Sequence, residues 1–419
     1  MIRKKKELFF RNYNCWVKGN VFKFGNLTNQ RLIPEFINSI KRLHFKFGHK
    51  KIVLDFSEVD KVYPYPTTSI AGYIHYFETQ LDVEFEYKDL PAYLKRINFI
   101  NPKEVNEKNV GRHKDCLNRI WKFKNSDEVH LLVNGILADI RKSLECEPGV
   151  IDACTWGLNE IMDNVIQHSE ANLGFIMAVV HKTTKNINIS IFDYGIGIYT
   201  SLRQSENNYN PKSAADAIAL AIQEGVTRDK KVGQGNGMWG LYNIVNLNSG
   251  HMSIISGKGG LILNDGHIKT YTEILMLSKR QQATTVNFHL NLDKDISIKE
   301  ALGGHELVDM YIENMEDDND RLIFKISEAA SGTGTRQSGL KIKNEVINLY
   351  KKAKKPVIID FDDVGIISSS FADEFIGKLV VELGFYQFQQ LFTLVNMNAT
   401  IQTIVQRSLS QRMSESLKK

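Results

Sequence analysis

Glu160, Asn164 and His168 follow one another at intervals of four in Asn159-Glu160-Ile161-Met162-Asp163-Asn164-Val165-Ile166-Gln167-His168. On a helix, four residues advance about 6 Å and return to nearly the same face, so a carboxylate and an amide can hold one divalent ion and one water between neighbouring turns. A second chemical stretch is Asp193-Tyr194-Gly195-Ile196-Gly197, an aspartate followed by glycines that let the backbone turn tightly and approach a flat ligand. The two read as parts of one nucleotide site. A third stretch, Gly233-Gln234-Gly235-Asn236-Gly237-Met238-Trp239-Gly240-Leu241, is a glycine-dense loop that leads into an apolar helical run. Mg²⁺ binds oxygen and keeps most of its waters, so one side-chain amide oxygen plus phosphate oxygens suits it. Phosphoryl transfer in turn needs positioning and charge neutralisation more than covalent help, which fits so sparse a set of groups.

These residues need elements to hold them, and the apolar periodicity supplies them. Ile151, Cys154, Leu158, Ile161, Met162, Val165 and Ile166 recur at threes and fours, which predicts a helix with one buried stripe and Glu160, Asn164 and His168 on the other face. Ile187, Ile189 and Ile191 alternate with Asn188 and Ser190, which predicts a strand that stops at Asp193. Leu241, Ile244, Val245 and Leu247 predict a helix after the glycine loop. Upstream, a helix starts at Ser126 with Asp127 and Glu128 at its positive end, carries a stripe from Val129 to Leu144, and is stopped by Pro148-Gly149. Between 201 and 232 a helical pattern covers Ala214 to Glu224, and Arg228, Lys230 and Lys231 then read as surface charges.

The order Glu-xxx-Asn on a helix, Asp-x-Gly-x-Gly after a strand and Gly-x-Gly-x-Gly before a helix resembles the GHKL superfamily of histidine kinase-like ATP-binding domains. The match covers roughly residues 126 to 303. The resemblance implies a Bergerat-type α/β sandwich that binds ATP and Mg²⁺. It implies that Asn164 ligates the Mg²⁺ and that Glu160 orients or deprotonates the attacking nucleophile. Asp193 would accept a hydrogen bond from the adenine amino group, and Gly195 and Gly197 would line its pocket. Gly233, Gly235 and Gly237 would form a lid whose amides cradle phosphates. A late threonine, Thr284 or Thr285, would back the adenine, and Thr285 is taken for this role.

The head, residues 1–125, reads as a small α/β unit followed by a basic linker. Lys51 to Phe56 and Asp82 to Tyr87 are strand candidates, while Thr67 to Glu78 and Pro91 to Ile97 are helix candidates. The tail, residues 304–419, repeats it: Lys355-Pro356-Val357-Ile358-Ile359-Asp360-Phe361 matches Lys50-Lys51-Ile52-Val53-Leu54-Asp55-Phe56 in constant register. After that strand come a helix from Ala372 to Leu383, a strand from Leu391 to Val395 and a helix from Ala399 to Leu409. The tail resembles the STAS-like domain family of the DUF4325 type and, more distantly, the STAS anti-anti-sigma proteins. There a serine that opens the helix is phosphorylated. The aligned positions are Ser369 and Ser370, but Phe371 replaces the glycine that usually follows, and helix capping accounts for these serines as well. The expected architecture is therefore α/β, a central GHKL sandwich flanked by two smaller STAS-like units.

Composition narrows the class. With 419 residues, 42% hydrophobic and 24% charged, the chain holds two to four ordinary globular domains. Cys15, Cys116, Cys146 and Cys154 lack metal spacing, as do the histidines, and a reduced cytoplasmic setting is the default. The basic start is cut short by Arg11 and Asn12, so no export signal is read, and no window approaches the ~20 apolar residues of a membrane helix. From Pro91 to Asn125, nine Lys or Arg face three Asp or Glu, with Tyr93, Phe99, Trp121 and Phe123 interleaved. Nucleic acid could bind such a stretch, but a solvated face is the favoured reading. Gly235 to Gly240 also spells a dinucleotide fingerprint, rejected because a polar segment rather than a strand precedes it, and no Walker loop is present.

Three functions are compatible with these residues. The leading one is a Mg²⁺-dependent ATPase whose lid closure repositions the flanking units. The second is a protein serine kinase of the anti-sigma type. The third is a nucleotide-binding regulator without catalysis. The partners expected are a nucleotide, a protein met through the STAS-like ends, and a second copy of the chain, as in several GHKL proteins.

Overall fold

Runs rich in β-branched and aromatic residues recur in three regions, and each builds its own sheet. The computed structural model describes residues 9–11, 15–111, 114–171, 173–205, 207, 209–226, 237–272, 282–304, 312, 315–317 and 321–416. The protein is mixed α/β throughout.

In the head, β1 (Phe9–Arg11), β2 (Cys15–Lys18), β3 (Val21–Phe24), β4 (Lys51–Asp55) and β5 (Glu84–Lys88) lie side by side in that order. β2 and β3 form a hairpin at Gly19, whose φ of 59° suits glycine. β3, β4 and β5 are parallel, so each step needs a crossover, supplied by α1 (Leu32–Lys41) and α2 (Pro64–Gln80). A short α3 (Ala92–Arg96) follows β5.

The central sheet has eight strands. They are β6 (Lys103–Glu104), β7 (Ile120–Phe123), β8 (Gly174–His181), β9 (Asn186–Asp193), β10 (His251–Ser256), β11 (Gly259–Asn264), β12 (His267–Tyr271) and β13 (Thr284–Asn291). They lie in the order β12-β11-β10-β13-β9-β8-β7-β6. All neighbours are antiparallel except β6 and β7. The sheet thus recruits two strands from the stretch read as a linker. Phe99, Trp121 and Phe123 are fully buried there, so these aromatics serve the core and are withdrawn from stacking on bases.

Alternation decides what covers each face of this sheet. Ile187, Ile189 and Ile191, with Val286, Phe288 and Leu290, pack on α4 (Ser126–Ser143), α5 (Val150–His168) and, after the short α6 (Gly197–Arg203) and α7 (Ala214–Ala221), α8 (Gly237–Leu247). Phe175, Met177, Val179 and Phe192 face the other way and join Tyr73, Ile74 and Phe77 in the core of the head. α2 lies across them, with Gly72 so close to Phe192 that a Cβ would sit 2.3 Å from its ring. α4 opens with its N-cap satisfied: Glu128 N–H donates to Asn125 Oδ1 at 2.9 Å, and Lys124 N–H, one residue before the cap, donates to Glu128 Oε2 at 2.9 Å.

The tail sheet, β14 (Leu322–Lys325), β15 (Val357–Asp360) and β16 (Phe392–Val395), is wholly parallel. Its crossovers are α9 (Arg336–Ala353) and α10 over 369–383, which takes a π turn at Asp373–Gly377, and α11 (Ala399–Ser416) follows β16. It has a core of its own. All four cysteines are buried, and none forms a disulfide among the described residues. No helix among the described residues is long and apolar enough to cross a membrane.

Candidate functional site

α5 starts where only glycine fits. Gly149 has φ 79°, and a Cβ on it would lie 1.9 Å from Ile296 O. The stripe Ala153, Cys154, Gly157, Leu158, Ile161, Met162 and Val165 then turns inward, with Gly157 pressed against the Phe288 ring. Glu160, Asp163 and Asn164 are left half-buried on the outer side. Burial pushes the Glu160 carboxyl up, and the charge of Asp163 adds to it; burial alone raises Asp163. The Asn164 amide makes no hydrogen bond to another described residue.

The end of α5 abuts the turn that follows β9. Asp193, 4% exposed, accepts a hydrogen bond from Gly195 N–H at 2.8 Å. Burial drives its carboxyl up to about 7 against the pull of that bond. Ile196 N–H donates to Ser169 O at 2.8 Å, and a Cβ on Gly195 would fall 2.0 Å from the same oxygen. Gly197 takes φ 73°, and a Cβ there would meet Gln282 O at 2.1 Å. Ile198 N–H donates to Ser256 Oγ at 2.8 Å, and Ser256 Oγ lies 3.0 Å from Thr284 Oγ1. Thr284 in turn stands directly opposite Asp193 in the ladder.

Gly237 opens α8 against Glu160, where a Cβ would be 2.1 Å from Glu160 Oε2. Gly237 therefore meets α5 at Glu160, while the turn that carries Asp193, Gly195 and Gly197 meets its C-terminal end at Ser169. Gly233, Gly235, Arg228, Lys230 and Lys231 lie outside the described residues. Thr285 does not join them. It faces the head, where its Oγ1 lies 3.2 Å from Ser69 Oγ, and Thr284 is the threonine on the side of Asp193. Neighbours in a strand face opposite ways, so only Thr284 shares the side of Asp193. Behind the turn, a cavity of about 460 Å³ opens between Tyr73 and Tyr76 of α2 and Tyr194. Its walls include Ser169, Gly195 and Ile196 but not Glu160, Asn164 or Asp193.

In the tail, Asp360 ends β15 and its Oδ1 accepts from Asp362 N–H at 2.9 Å and from Asn396 Nδ2 at 2.8 Å. Ser368 caps α10 by accepting from Phe371 N–H at 3.0 Å, while Ser369 is exposed. Residues 338–402 match the model of a STAS-like domain of unknown function, DUF4325. The tail carries a STAS-like domain. No curated protein matches the chain. Among solved structures, the chain is similar to full-length ShkA in complex with AMPPNP at 10% identity, over 68% of this chain and 56% of that one. The TM-score is 0.21, too slight a likeness to carry an argument about fold or function.

The head follows the hydrogen bonding of the STAS-like domain at the register that pairs Asp55 with Asp360. Asp55 Oδ1 accepts from Ser57 N–H at 2.9 Å, and Lys88 Nζ takes the place of Asn396 at 3.0 Å from Oδ2. Tyr63 N–H donates to Leu27 O at 2.8 Å as Ser368 N–H does to Thr333 O at 2.9 Å. The likeness of head to tail extends from sequence to individual backbone contacts. Sequence reasoning passed over Ser169 and Ser256, which pin the turn. Their contacts cross from one motif to another, and no local spacing reports them.

Proposed function

We propose that the central unit binds ATP with Mg²⁺ and hydrolyses it, and that the nucleotide acts as a conformational switch for the two flanking units. The support is a convergence on one helix: Gly237 meets α5 at Glu160, and Gly195 with Ile196 meets it at Ser169, although the three stretches lie far apart in the chain. In this reading the central unit is a GHKL-type sandwich, Asp193 holds the adenine amino group, and Thr284 backs the base. Asn164 offers a half-buried amide oxygen to the metal. Among the described residues no cluster of three His, Cys, Asp or Glu is placed to hold a metal unaided, so the remaining ligands are phosphate oxygens and water. Mg²⁺, when held there by Asn164, would supply charge neutralisation for the phosphates. Glu160, with its carboxyl raised by burial, takes the proton of the attacking water as the water oxygen bonds to the γ-phosphorus and the bond to ADP breaks.

The test tracks labelled ATP through the full chain. Free phosphate should appear only with Mg²⁺ and fall at least about a hundredfold in Glu160→Ala, while that variant keeps its ATP-induced rise in melting temperature. Label on Ser369 or Ser370 would instead mark the chain as a kinase. A wild-type chain without any nucleotide-dependent shift would end the reading.

A further inference from the structure

The STAS-like domain grips the central unit just ahead of the site helix. α4 ends at Ser143 with its last carbonyls facing α9 rather than water. Asn348 Nδ2 donates to Arg141 O at 2.9 Å and to Leu144 O at 2.8 Å, and Asn344 Nδ2 donates to Lys142 O at 3.2 Å. Cys146 N–H returns a bond to Asn348 Oδ1 at 2.7 Å. Both asparagines are buried, so these bonds are shielded from competing water. Lysines of the same helix then meet the carboxylates of the elbow. Lys351 Nζ lies 2.7 Å from Glu147 and 3.9 Å from Glu145, Lys343 Nζ lies 3.7 Å from Glu145, and Lys352 Nζ lies 2.8 Å from Asp152.

Asp152 sits in the first turn of α5. Glu160 and Asn164 come later on the same rigid rod, about 12 and 18 Å further along its axis. Without the lysines, Glu145, Glu147 and Asp152 would face one another as like charges around a single elbow, which pushes it open. The ion pairs are partly exposed and each contributes little, so the grip rests on few interactions and can release without opening either unit's apolar core.

We propose that α9 is a clamp: the STAS-like domain, while docked, holds the α4–α5 elbow and fixes the position of Glu160 and Asn164, and its release loosens them. The surface that α9 reads is an acidic elbow with exposed helix-end carbonyls, and a partner that takes α9 away regulates the site. This rests on the reading of α5 as the nucleotide helix.

The test is hydrogen exchange on the full chain, followed segment by segment. Lys352→Asp and Asn348→Leu should each speed exchange across 144–160 about tenfold while β15 keeps its protection, which shows that the STAS-like domain is still folded. The paired exchange Lys352→Asp with Asp152→Lys should restore the native rates. Unchanged rates across 144–160 in both single variants, or no restoration by the pair, overturns the clamp. ATP affinity is measured on the same variants and should weaken at least about fivefold in each single variant. A wild-type chain that binds no nucleotide refutes the reading of the site, whereas the exchange rates judge the clamp by themselves.

Discussion

Replacing Asp193 by asparagine should make the nucleotide-free chain more stable at pH 8 and at the same time deprive it of ATP. Asp193 is 4% exposed, and burial lifts its carboxyl from 3.8 to about 7. A carboxyl raised in the folded state contributes stability that is complete below the unfolded value and is lost as pH rises through the folded one. Three pH units at about 1.4 kcal/mol each put the cost of the ionised form at pH 8 at no more than about 4 kcal/mol. Asparagine keeps the acceptor for Gly195 N–H and removes the charge, but it buries amide hydrogens whose partners are not assured, at about 1–2 kcal/mol. The expected balance is a gain of about 2 kcal/mol at pH 8 that disappears, or reverses, near pH 4, where the native carboxyl is neutral as well. The same change removes a charged acceptor for the adenine amine, worth about 1.5–3 kcal/mol, so ATP should bind roughly 10- to 100-fold more weakly. The assay is denaturant unfolding at pH 4 and pH 8, with the thermal shift by ATP and Mg²⁺ recorded for both chains. An equal ATP shift in wild type and Asp193→Asn would refute the adenine role, and a variant less stable than wild type at pH 8 would refute the argument from burial.

Two further substitutions probe the scaffold of the turn. Gly195→Ala places a methyl group within 2.0 Å of the Ser169 carbonyl, a backbone atom that cannot rotate away, so unfolding by urea should show a loss of about 2–3 kcal/mol. Thr284→Val should weaken ATP binding severalfold through the loss of the hydroxyl beside Asp193 and Ser256, as read by calorimetry. Thr285→Val should leave ATP binding unchanged and instead cost about 1 kcal/mol of stability through the bond to Ser69.

What the sequence discloses depends on where a residue finds its partners. α5 and β9 were legible because their buried residues are apolar and recur at the period of the element, as Ile187, Ile189 and Ile191 do. α9 escaped that reading although it has 18 residues, because Lys343, Asn344, Glu345 and Asn348 occupy inward positions. Asn344 and Asn348 are bonded to carbonyls of another unit and Lys343 lies by its Glu145, and a polar residue whose partners lie two hundred positions away looks like any surface residue. The register of β13 was hidden for a related reason. Thr284 and Thr285 are chemically the same, and only the pairing with β9 decides which of them faces Asp193.

The two ends of the chain share one hydrogen-bonding plan yet hold the central unit through different helices, and the cause lies in the helix after the third parallel strand. In the tail that strand leads into α11, eighteen residues long, which lies over α10 so closely that a Cβ on Gly377 would sit 2.6 Å from Ser408 Oγ. In the head the corresponding helix α3 has only five residues. The same face of α2 is therefore uncovered by its own unit, and Gly72, at the register of Gly377, brings it onto Phe192 of the central sheet. With its equivalent face already occupied by α11, the tail turns to α9 and the α4–α5 elbow. The head is thus bonded through an apolar layer that water cannot easily enter, and the tail through a few buried caps and partly exposed ion pairs, the latter open to salt. If one end of this protein moves during its working cycle, the chemistry of the two contacts selects the tail.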